Sequence, residues 1–169
     1  MSSSDLKIRN VEKSDIEHLK TVIDTSDLFP SEMLDEMIAG YFKGEESCIW
    51  LTGDDSEKPR AVAYCAPEKM TEGTWNLYLI AVHDSLQGTG IGTKIIEHLE
   101  EKLVSEKEAR ILLVETSGSS EFEKTRKFYE NRGFVEEARI REYYQAGEDK
   151  IVFWKKLNKP ADTTTNESN

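Results

Sequence analysis

A glycine-rich turn at residues 87–94, Q-G-T-G-I-G-T-K, limits what this chain can fold into more than any other segment. The residues before it, W-N-L-Y-L-I-A-V, have the composition of a strand, and those after it, I-I-E-H-L-E-E-K-L, have the apolar spacing of an amphipathic helix. Glycine lets the backbone approach a ligand closely, and the free N–H groups at a helix N-terminus attract anions. The turn therefore predicts a strand–loop–helix unit that binds a phosphate or pyrophosphate. The alternative is a tight turn without a ligand.

Two familiar nucleotide loops do not fit this turn. A dinucleotide-binding fingerprint that starts at Gly88 requires a third glycine where Thr93 stands. A Walker loop requires glycine directly before Lys94 and serine or threonine directly after it, but the neighbours are Thr93 and Ile95. The sequence therefore excludes both nucleotide-binding interpretations.

Size and charge narrow the class of protein further. The chain has 169 residues and a formal net charge of −11. This acidity disfavours nucleic acid as a partner, whereas it suits a cationic partner such as an amine or a basic peptide, or serves solubility alone. No apolar run reaches the ~18 residues that a membrane span needs, and the N-terminal M-S-S-S-D-L-K lacks the apolar segment of a signal peptide. We therefore expect a cytoplasmic protein that does not contact membranes.

Cysteine and histidine do not form a metal-binding pattern. Cys48 and Cys65 lie in apolar stretches, and the three histidines are scattered along the chain. We therefore expect neither a metal site nor a disulfide, and both thiols are predicted to be small buried side chains.

Strand and helix patterns organise the rest of the chain. They predict the order β-α-α-β-β-β-α-β-α-β-β, which is a mixed sheet with helices on both faces, in the α/β (α+β) class. The segment I-L-L-V at 111–114 is apolar on both faces and is predicted to be a central strand, and Gly133 is predicted to end the last helix. Residues 1–157 are predicted to form a single domain. Residues 158–169 contain almost nothing apolar and are predicted to be a disordered tail.

Two segments carry a resemblance to a known family. The stretch V-H-D-S-L-Q-G-T-G-I-G resembles the acetyl-CoA signature of the GNAT N-acetyltransferase superfamily, Gln/Arg-x-x-Gly-x-Gly/Ala, which Gln87, Gly90 and Gly92 match. The stretch R-K-F-Y-E-N-R-G-F resembles the final-helix motif of that family, with Tyr129 four residues before Gly133. The resemblance covers the element order from about residue 6 to residue 157. It implies a mostly antiparallel sheet of about seven strands.

The resemblance implies acetyl-CoA as the co-substrate. The backbone N–H groups of the glycine turn would cradle its pyrophosphate, and the end of the preceding strand would pair with the pantetheine arm like an added strand, next to a gap between two splayed strands. Phe128 and Tyr129 would reach the thioester end. The cofactor-binding residues implied in this way are Ile80, Ala81, Val82, Gln87, Gly88, Thr89, Gly90, Ile91, Gly92, Thr93 and Phe128.

The implied reaction moves the acetyl group to a primary amine by direct attack in a ternary complex. It needs a base, because an amine with a pKa near ~10.4 is mostly protonated at neutral pH. It also needs a donor for the developing oxyanion, which the resemblance assigns to the N–H of Val82, and an acid for the departing thiolate. Tyr129 is the predicted acid.

The base is where the chain departs from the family. Many members carry a catalytic glutamate in the fourth strand, where this chain has Asn76 and Tyr78, and many have proline where Asp84 stands. Glu115, which follows the apolar I-L-L-V strand, is the predicted base, with a solvated strand end as the alternative interpretation. The weaker alternatives are Glu72, Glu121, Glu123 and a chain of water molecules without a single base.

Several questions stay open at the level of sequence. A non-catalytic acyl-CoA sensor on the same fold, or a protein-interaction domain without a ligand, are the alternatives to an enzyme. The acceptor ranges from small amines, polyamines and antibiotics to protein N-termini and lysines. The basic run Lys124, Arg126 and Lys127 either meets the CoA phosphates or forms a solvated face. The closing strands could pair two subunits into a homodimer.

Overall fold

The fold is a seven-stranded sheet with helices on both faces, and the computed structural model describes residues 6–56 and 58–158 of it. The strand order across the sheet is β1-β2-β3-β4-β5-β7-β6. The strands are β1 (Lys7–Asn10), β2 (Ile49–Asp54), β3 (Pro59–Pro67), β4 (Thr74–Val82), β5 (Ile111–Ser117), β6 (Val135–Gln145) and β7 (Glu148–Lys156). The helices are α1 (Ile16–Ser26), α2 (Leu34–Lys43), α3 (Ile91–Lys107) and α4 (Glu123–Asn131). The predicted element order is confirmed.

Strand directions confirm the mixed, mostly antiparallel sheet. Every neighbouring pair of strands runs antiparallel except β4 and β5, which run parallel. The predicted central strand is β5: Leu112 and Val114 are buried, and the strand continues through Glu115 to Ser117. The predicted tail from residue 159 onward lies outside the described residues, so the tail stays a prediction.

Two hydrophobic cores cover the two faces of the sheet. The α3 core contains the whole predicted apolar stripe of that helix, namely Ile91, Ile95, Ile96, Leu99 and Leu103. The α1/α2 core contains Leu19, Ile23, Leu34, Ile38 and Trp50. Burying both faces in this way is what makes the central strands apolar throughout.

The sheet divides between β4 and β5. Their parallel pairing runs only from Thr74 and Ile111 to Leu77 and Val114. Past that point β4 stays paired with β3 on its other side, and β5 stays paired with β7. A gap therefore opens between the C-terminal halves of β4 and β5, as the family resemblance implied.

A β-bulge in β4 lies at the start of this gap. Leu77 pairs with Cys65 and Leu79 pairs with Tyr64, the adjacent residue on β3, so Tyr78 is the additional residue. A bulge of this kind redirects the side chains that follow it. Leu77 packs in the α3 core, whereas Leu79 packs in the α1/α2 core. Tyr78 stands between the two cores with 49% of its surface exposed.

The C-terminal part of the fold is a helix end followed by a hairpin. Gly133 adopts a φ of 91° after α4, as predicted for a residue that ends a helix. Strands β6 and β7 pair out to Gln145 and Glu148, so a tight turn at 146–147 joins them. No helix in the described ranges combines the length and apolar character that crossing a membrane requires.

Candidate active site

A cleft of about 1210 Å³ occupies the gap between β4 and β5. The glycine turn lines one part of it, and the end of β4 lines another. Helix α4 contributes Phe128 and Tyr129, and β5 contributes Glu115. The hairpin of β6 and β7 closes a further side with Tyr144 and Glu148. The elements named by the two sequence motifs therefore meet at one cavity.

The glycine turn depends on two left-handed residues. Gly88 has a φ of 78° and Gly90 a φ of 88°, a region that side chains make costly. A Cβ built on either residue would meet nothing within 4 Å, so both point toward open space. The turn is therefore shaped for its backbone to be accessible, and both glycines line the cleft.

Free backbone N–H groups are concentrated at the start of α3. Within the described residues, no acceptor bonds the N–H of Gly88 or Gly90, or those of residues 91–93. Two members of the predicted cradle behave differently, because the N–H of Gln87 bonds the carbonyl of Asp84 and that of Thr89 bonds the carbonyl of Leu86. The free groups at the positive end of a helix dipole form an anion-binding surface.

Backbone alternation selects which residues of β4 face the gap. The N–H of His83 bonds the carbonyl of Arg60 on the β3 side. Because backbone groups of successive strand residues point to opposite edges, Ala81 also bonds toward β3, and Ile80 and Val82 present their N–H and C=O groups to the gap. The Gln87 side chain donates to the Val82 carbonyl at 3.4 Å. Of the three predicted pantetheine residues, two therefore have the required backbone direction, while Ala81 does not.

Helix α4 presents aromatic side chains to the cleft. Tyr129 is 4% exposed and packs against Phe128, Phe134 and Phe153 with ring centroids 5.5, 5.7 and 5.8 Å away. Burial raises the pKa of Tyr129, so its phenol is neutral at ordinary pH. Among the described residues the Tyr129 hydroxyl has no hydrogen-bond partner, since burial alone accounts for its pKa shift, and the residue lines the cleft. The hydroxyl is therefore an available donor.

Gly92 allows α3 and α4 to approach closely. A Cβ on Gly92 would lie 3.2 Å from the edge of the Phe128 ring, which is tighter than ordinary contact. Arg132 strengthens the same junction: its Nη1 donates to the Thr93 hydroxyl at 2.9 Å, and its guanidinium lies 6.0 Å from the Phe128 ring centre. Arg132 was not predicted as a site residue, although it caps α4 four residues after Phe128, a spacing that brings two side chains together.

The basic run on α4 divides into three different environments. Arg126 donates to the carbonyls of Ser117 and Ser119 and therefore braces the backbone. Lys127 pairs with Glu123 at 3.6 Å on the solvent side. Lys124 lines the cleft. Of the three residues, Lys124 is the one available to an anionic ligand.

A cluster of polar side chains lies around Asn76 at one end of the cleft, the end that Tyr78 and Glu115 line. The Nδ2 of Asn76 donates to Glu68 Oε1 at 2.9 Å and to Glu115 Oε1 at 3.4 Å. The hydroxyl of Tyr78 donates to Glu68 Oε1 at 2.6 Å. The predicted base Glu115 therefore lies beside the two residues that replace the family glutamate. The fourth member, Glu68, was not singled out from the sequence.

Lys150 neutralises Glu115. Its Nζ lies 2.9 Å from Glu115 Oε2 and 4.2 Å from the centre of the Tyr143 ring, and the residue is 8% exposed. Burial is the largest single effect and lowers the pKa of Lys150, but the hydrogen bond and charge of Glu115, together with Tyr143, raise it by more, so the net shift is upward. Lys150 and Glu115 therefore form a charged pair at neutral pH.

The remaining carboxylates have separate roles. Glu148 accepts from the Ser117 hydroxyl at 2.6 Å and from Gln145 at 2.7 Å, and it lines the cleft. Of the weaker base candidates, Glu121 lines the cleft, whereas Glu123 pairs with Lys127 on the outside of α4. Glu72 is exposed and is not among the residues that line the cleft.

Metal-binding side chains do not cluster in the described ranges. No group of three or more His, Cys, Asp or Glu residues there has the arrangement to hold a metal ion. Cys48 is half-buried and Cys65 is buried, and both are free thiols.

Comparison with known proteins agrees with the geometry. Residues 45–136, more than half of the chain, match the family model of the acetyltransferase (GNAT) domain. An uncharacterized N-acetyltransferase of Methanocaldococcus jannaschii is 28% identical over 155 residues, which cover 92% of this chain and 88% of the relative. A GNAT-family crystal structure from Desulfovibrio desulfuricans has a TM-score of 0.84 and 26% identity, covering 90% of this chain and 99% of the other. The yncA protein of Salmonella typhimurium, solved with acetyl-CoA, has a TM-score of 0.70 at 15% identity, with coverages of 93% and 96%, and shares the fold.

The junction of α3 and α4 yields a test. We expect Gly92→Val to lower the free energy of unfolding by about 1–3 kcal/mol, because the added side chain presses on the Phe128 ring. In a Phe128→Ala background the same change is expected to cost less, with a coupling of about 0.5–3 kcal/mol measured by urea unfolding. Phe42→Ala, a half-buried phenylalanine in the other core, is the matched background in which Gly92→Val is expected to be additive. Additive costs in both backgrounds would contradict the contact.

Proposed function

The chain belongs to the GNAT acetyltransferase family, and from that premise we propose that it moves the acetyl group of acetyl-CoA to a primary amine by direct attack in a ternary complex. The family makes it an acyltransferase, and the relative from Methanocaldococcus jannaschii is named an N-acetyltransferase. The observation that carries the finer proposal is the cleft itself. It joins free N–H groups at the start of α3 to the unpaired edge of β4 and to the Tyr129 hydroxyl.

The residues present fit acetyl-CoA as the co-substrate. Bound there, acetyl-CoA supplies an acetyl group that is activated as a thioester. The open space over Gly88 and Gly90 and the free N–H groups after them suit its pyrophosphate. The edge groups of Ile80 and Val82 suit the extended pantetheine arm. The acetyl-CoA in the similarly folded yncA structure supports this assignment.

Chain residues near the gap have the properties that acetyl transfer needs. The N–H of Val82 faces the gap and is proposed as the donor for the developing oxyanion. Tyr129, a neutral phenol without a partner among the described residues, is proposed as the acid that protonates the thiolate. Glu115 is the base proposed from the sequence, and its position in the cleft supports it. Its ion pair with Lys150 opposes it, because one of its carboxylate oxygens is already bonded to an ammonium group.

One alternative function is favoured by a specific observation. The fourth strand carries the amide of Asn76 where many family members carry a carboxylate, which favours an acyl-CoA sensor that does not catalyse transfer.

The acceptor is proposed to be a small-molecule or peptide amine, because the carboxylates beside Asn76 suit a cation. A cytoplasmic location and a homodimer stay predictions from the sequence.

The proposed function is tested by an acetylation assay. The protein is incubated with acetyl-CoA and a panel of primary amines: a short diamine, lysine amide, an aminoglycoside and peptides with free N-termini. We expect thiol release together with a mass increase of one acetyl group on at least one amine. A catalytically silent protein that is stabilised by acetyl-CoA would identify the sensor instead. A protein that is neither active nor stabilised would contradict both functions.

The glycine turn gives a second test. Gly90→Ala is expected to lower stability by roughly 1–2 kcal/mol through backbone strain and to weaken CoA binding, because the turn that directs its N–H groups is distorted. Gly44→Ala is the matched control, since Gly44 has a φ of 68° with equally open space but lies at the end of α2. The CoA affinity of both variants is measured by titration calorimetry. Equal CoA affinity in the two variants would contradict a phosphate site at the turn.

The third test concerns the proposed acid. Tyr129→Phe is expected to keep acetyl-CoA affinity and to lower kcat by roughly 10- to 1000-fold, because the ring still packs against its aromatic neighbours but cannot donate a proton. The measurement is kcat with the fastest amine of the panel, with binding followed by thermal shift. About 2.7 kcal/mol of stabilisation is expected at a hundredfold excess of acetyl-CoA over Kd. An unchanged kcat would remove Tyr129 from the mechanism.

A further inference from the structure

Tyr78 presents a phenol to the cleft that the family motifs do not account for. The bulge in β4 turns it out of both cores, and it lines the cleft with about half of its surface exposed. Its hydroxyl donates to Glu68 Oε1 at 2.6 Å. Its ring stacks on Tyr64 with the centroids 5.7 Å apart. The phenol is therefore held in one direction, with its oxygen between the cleft and a carboxylate.

Glu68 and Glu115 differ in how their charge is compensated. Glu115 has Lys150 at 2.9 Å. The Glu68 carboxylate accepts from the neutral donors Tyr78 and Asn76, and no ion pair involves it within the part of the chain that the structure describes. Its negative charge is therefore not matched by a nearby cation, whereas that of Glu115 is matched by Lys150. Glu68 is the carboxylate whose charge remains available to a cationic ligand.

Asn76 fixes the distance between the two carboxylates. It is 1% exposed, and its Nδ2 donates to both of them, while its Oδ1 is buried without a partner in the described region. A carboxylate at this position would add a third negative charge that could donate to neither neighbour. The amide that replaces the family glutamate therefore has a physical role, because it holds Glu68 beside Tyr78.

We infer that Tyr78 and Glu68 bind the acceptor amine as its ammonium form and remove its proton, in place of Glu115. This inference rests on the proposed function, because it identifies the base of that reaction. The ligand class is an alkylammonium ion, which a phenol oxygen backed by an uncompensated carboxylate attracts. Tyr78 is the catalytic residue, since it faces the cleft, and Glu68 acts through it.

The proton transfer balances without another reactant. An N–H bond of the ammonium breaks and its proton bonds to the Tyr78 oxygen, while the proton that Tyr78 held moves to Glu68 Oε1 along their existing hydrogen bond. The phenol is regenerated, Glu68 becomes a carboxylic acid, and the nitrogen keeps the electron pair that attacks the thioester carbon. Glu68 afterwards releases the proton to solvent.

The surroundings favour a relay rather than a free phenolate. Burial, and then the hydrogen bond to Glu68, raises the pKa of Tyr78, so the phenol stays protonated and can accept only while it donates. Among the described residues, the ionisable groups next to the pair are Tyr64 from β3, which stacks on Tyr78, and Glu115 from β5, which pairs with Lys150 from β7. Tyr144 from β6 lines the same cleft. Burial raises the pKa of both tyrosines, and the hydrogen bond and charge of Glu115 raise that of Lys150 against the effect of burial. Both tyrosines therefore stay neutral, and Lys150 stays charged, near neutral pH.

The test compares Glu68→Gln, Tyr78→Phe and Glu115→Gln with the fastest amine of the panel. Glu68→Gln keeps an acceptor for the Tyr78 hydroxyl but takes up no proton. We expect it and Tyr78→Phe each to lower kcat by roughly 10- to 1000-fold with the KM for acetyl-CoA unchanged. The double variant is expected to be little worse than either single variant, because the two residues act as one unit. Glu115→Gln is expected to retain more activity than Glu68→Gln.

A pH series separates a relay from a structural role. The fraction of neutral amine rises about tenfold per pH unit below its pKa near ~10.4. An enzyme without the relay depends on amine that is already neutral, so the kcat/KM deficit of Glu68→Gln is expected to shrink as the pH rises from about 7 to about 9. A deficit that stays constant over this range, or a larger loss in Glu115→Gln than in Glu68→Gln, would overturn the inference.

Controls keep the outcomes distinct. Glu97→Gln makes the same chemical change on the exposed face of α3 and is expected to match the wild type. Thermal shift with acetyl-CoA checks that each variant is folded and binds. If the wild type acetylates no amine, the proposed function fails and the relay fails with it. If the wild type is active and Glu68→Gln is equally active, the relay alone is overturned.

Discussion

The site depends on the point at which β4 and β5 stop pairing. Beyond Leu77 and Val114 the backbone groups of Ile80 and Val82 face a gap instead of a neighbouring strand. Buried backbone donors and acceptors are seldom left without partners, so such an edge is stable only where solvent or an extended ligand supplies the hydrogen bonds. The glycine turn continues directly from the free end of β4, and α4 packs across the other side through Phe128 and Gly92. The glycine turn and the Tyr129 side of the cleft are therefore positioned by the same interruption of the sheet.

Charge differs between the two ends of this cleft, although the protein as a whole is strongly acidic. At the glycine turn the positive potential comes from backbone N–H groups and from Lys124. The other end carries three carboxylates, Glu68, Glu115 and Glu148, and among these Glu115 is paired with Lys150 while the described partners of the other two carboxylates are neutral donors. In the proposed function, an anionic co-substrate and a cationic acceptor would be drawn to opposite ends, so the net charge of the protein is a poor guide to either ligand.

Local signals predicted the fold well, because most of its elements are specified by residues near one another in the chain. Three such signals lie within single segments of the chain. Gly133 marks a helix end, the apolar stripe of α3 marks an amphipathic helix, and the I-L-L-V run, apolar on both faces, marks a central strand. The polar cluster around Asn76 could not be predicted in the same way. Glu68 looks like any solvated loop residue until the bulge at Tyr78 and the register of β3 and β4 bring it to Asn76. Lys150 reaches Glu115 only through the pairing of β5 with β7.

Asn76 shows why the departure from the family pattern need not mean loss of activity. Leaving its Oδ1 buried without a partner costs about 1–3 kcal/mol, a penalty that an apolar residue of similar size would avoid. The Nδ2 of the same amide donates to Glu68 and Glu115, two carboxylates that would otherwise repel each other. In the proposed relay, the carboxylate is supplied by Glu68 on the loop before β4 instead of by the strand itself. Tyr78 supplies the contact with the cleft that a glutamate side chain on the strand would make directly.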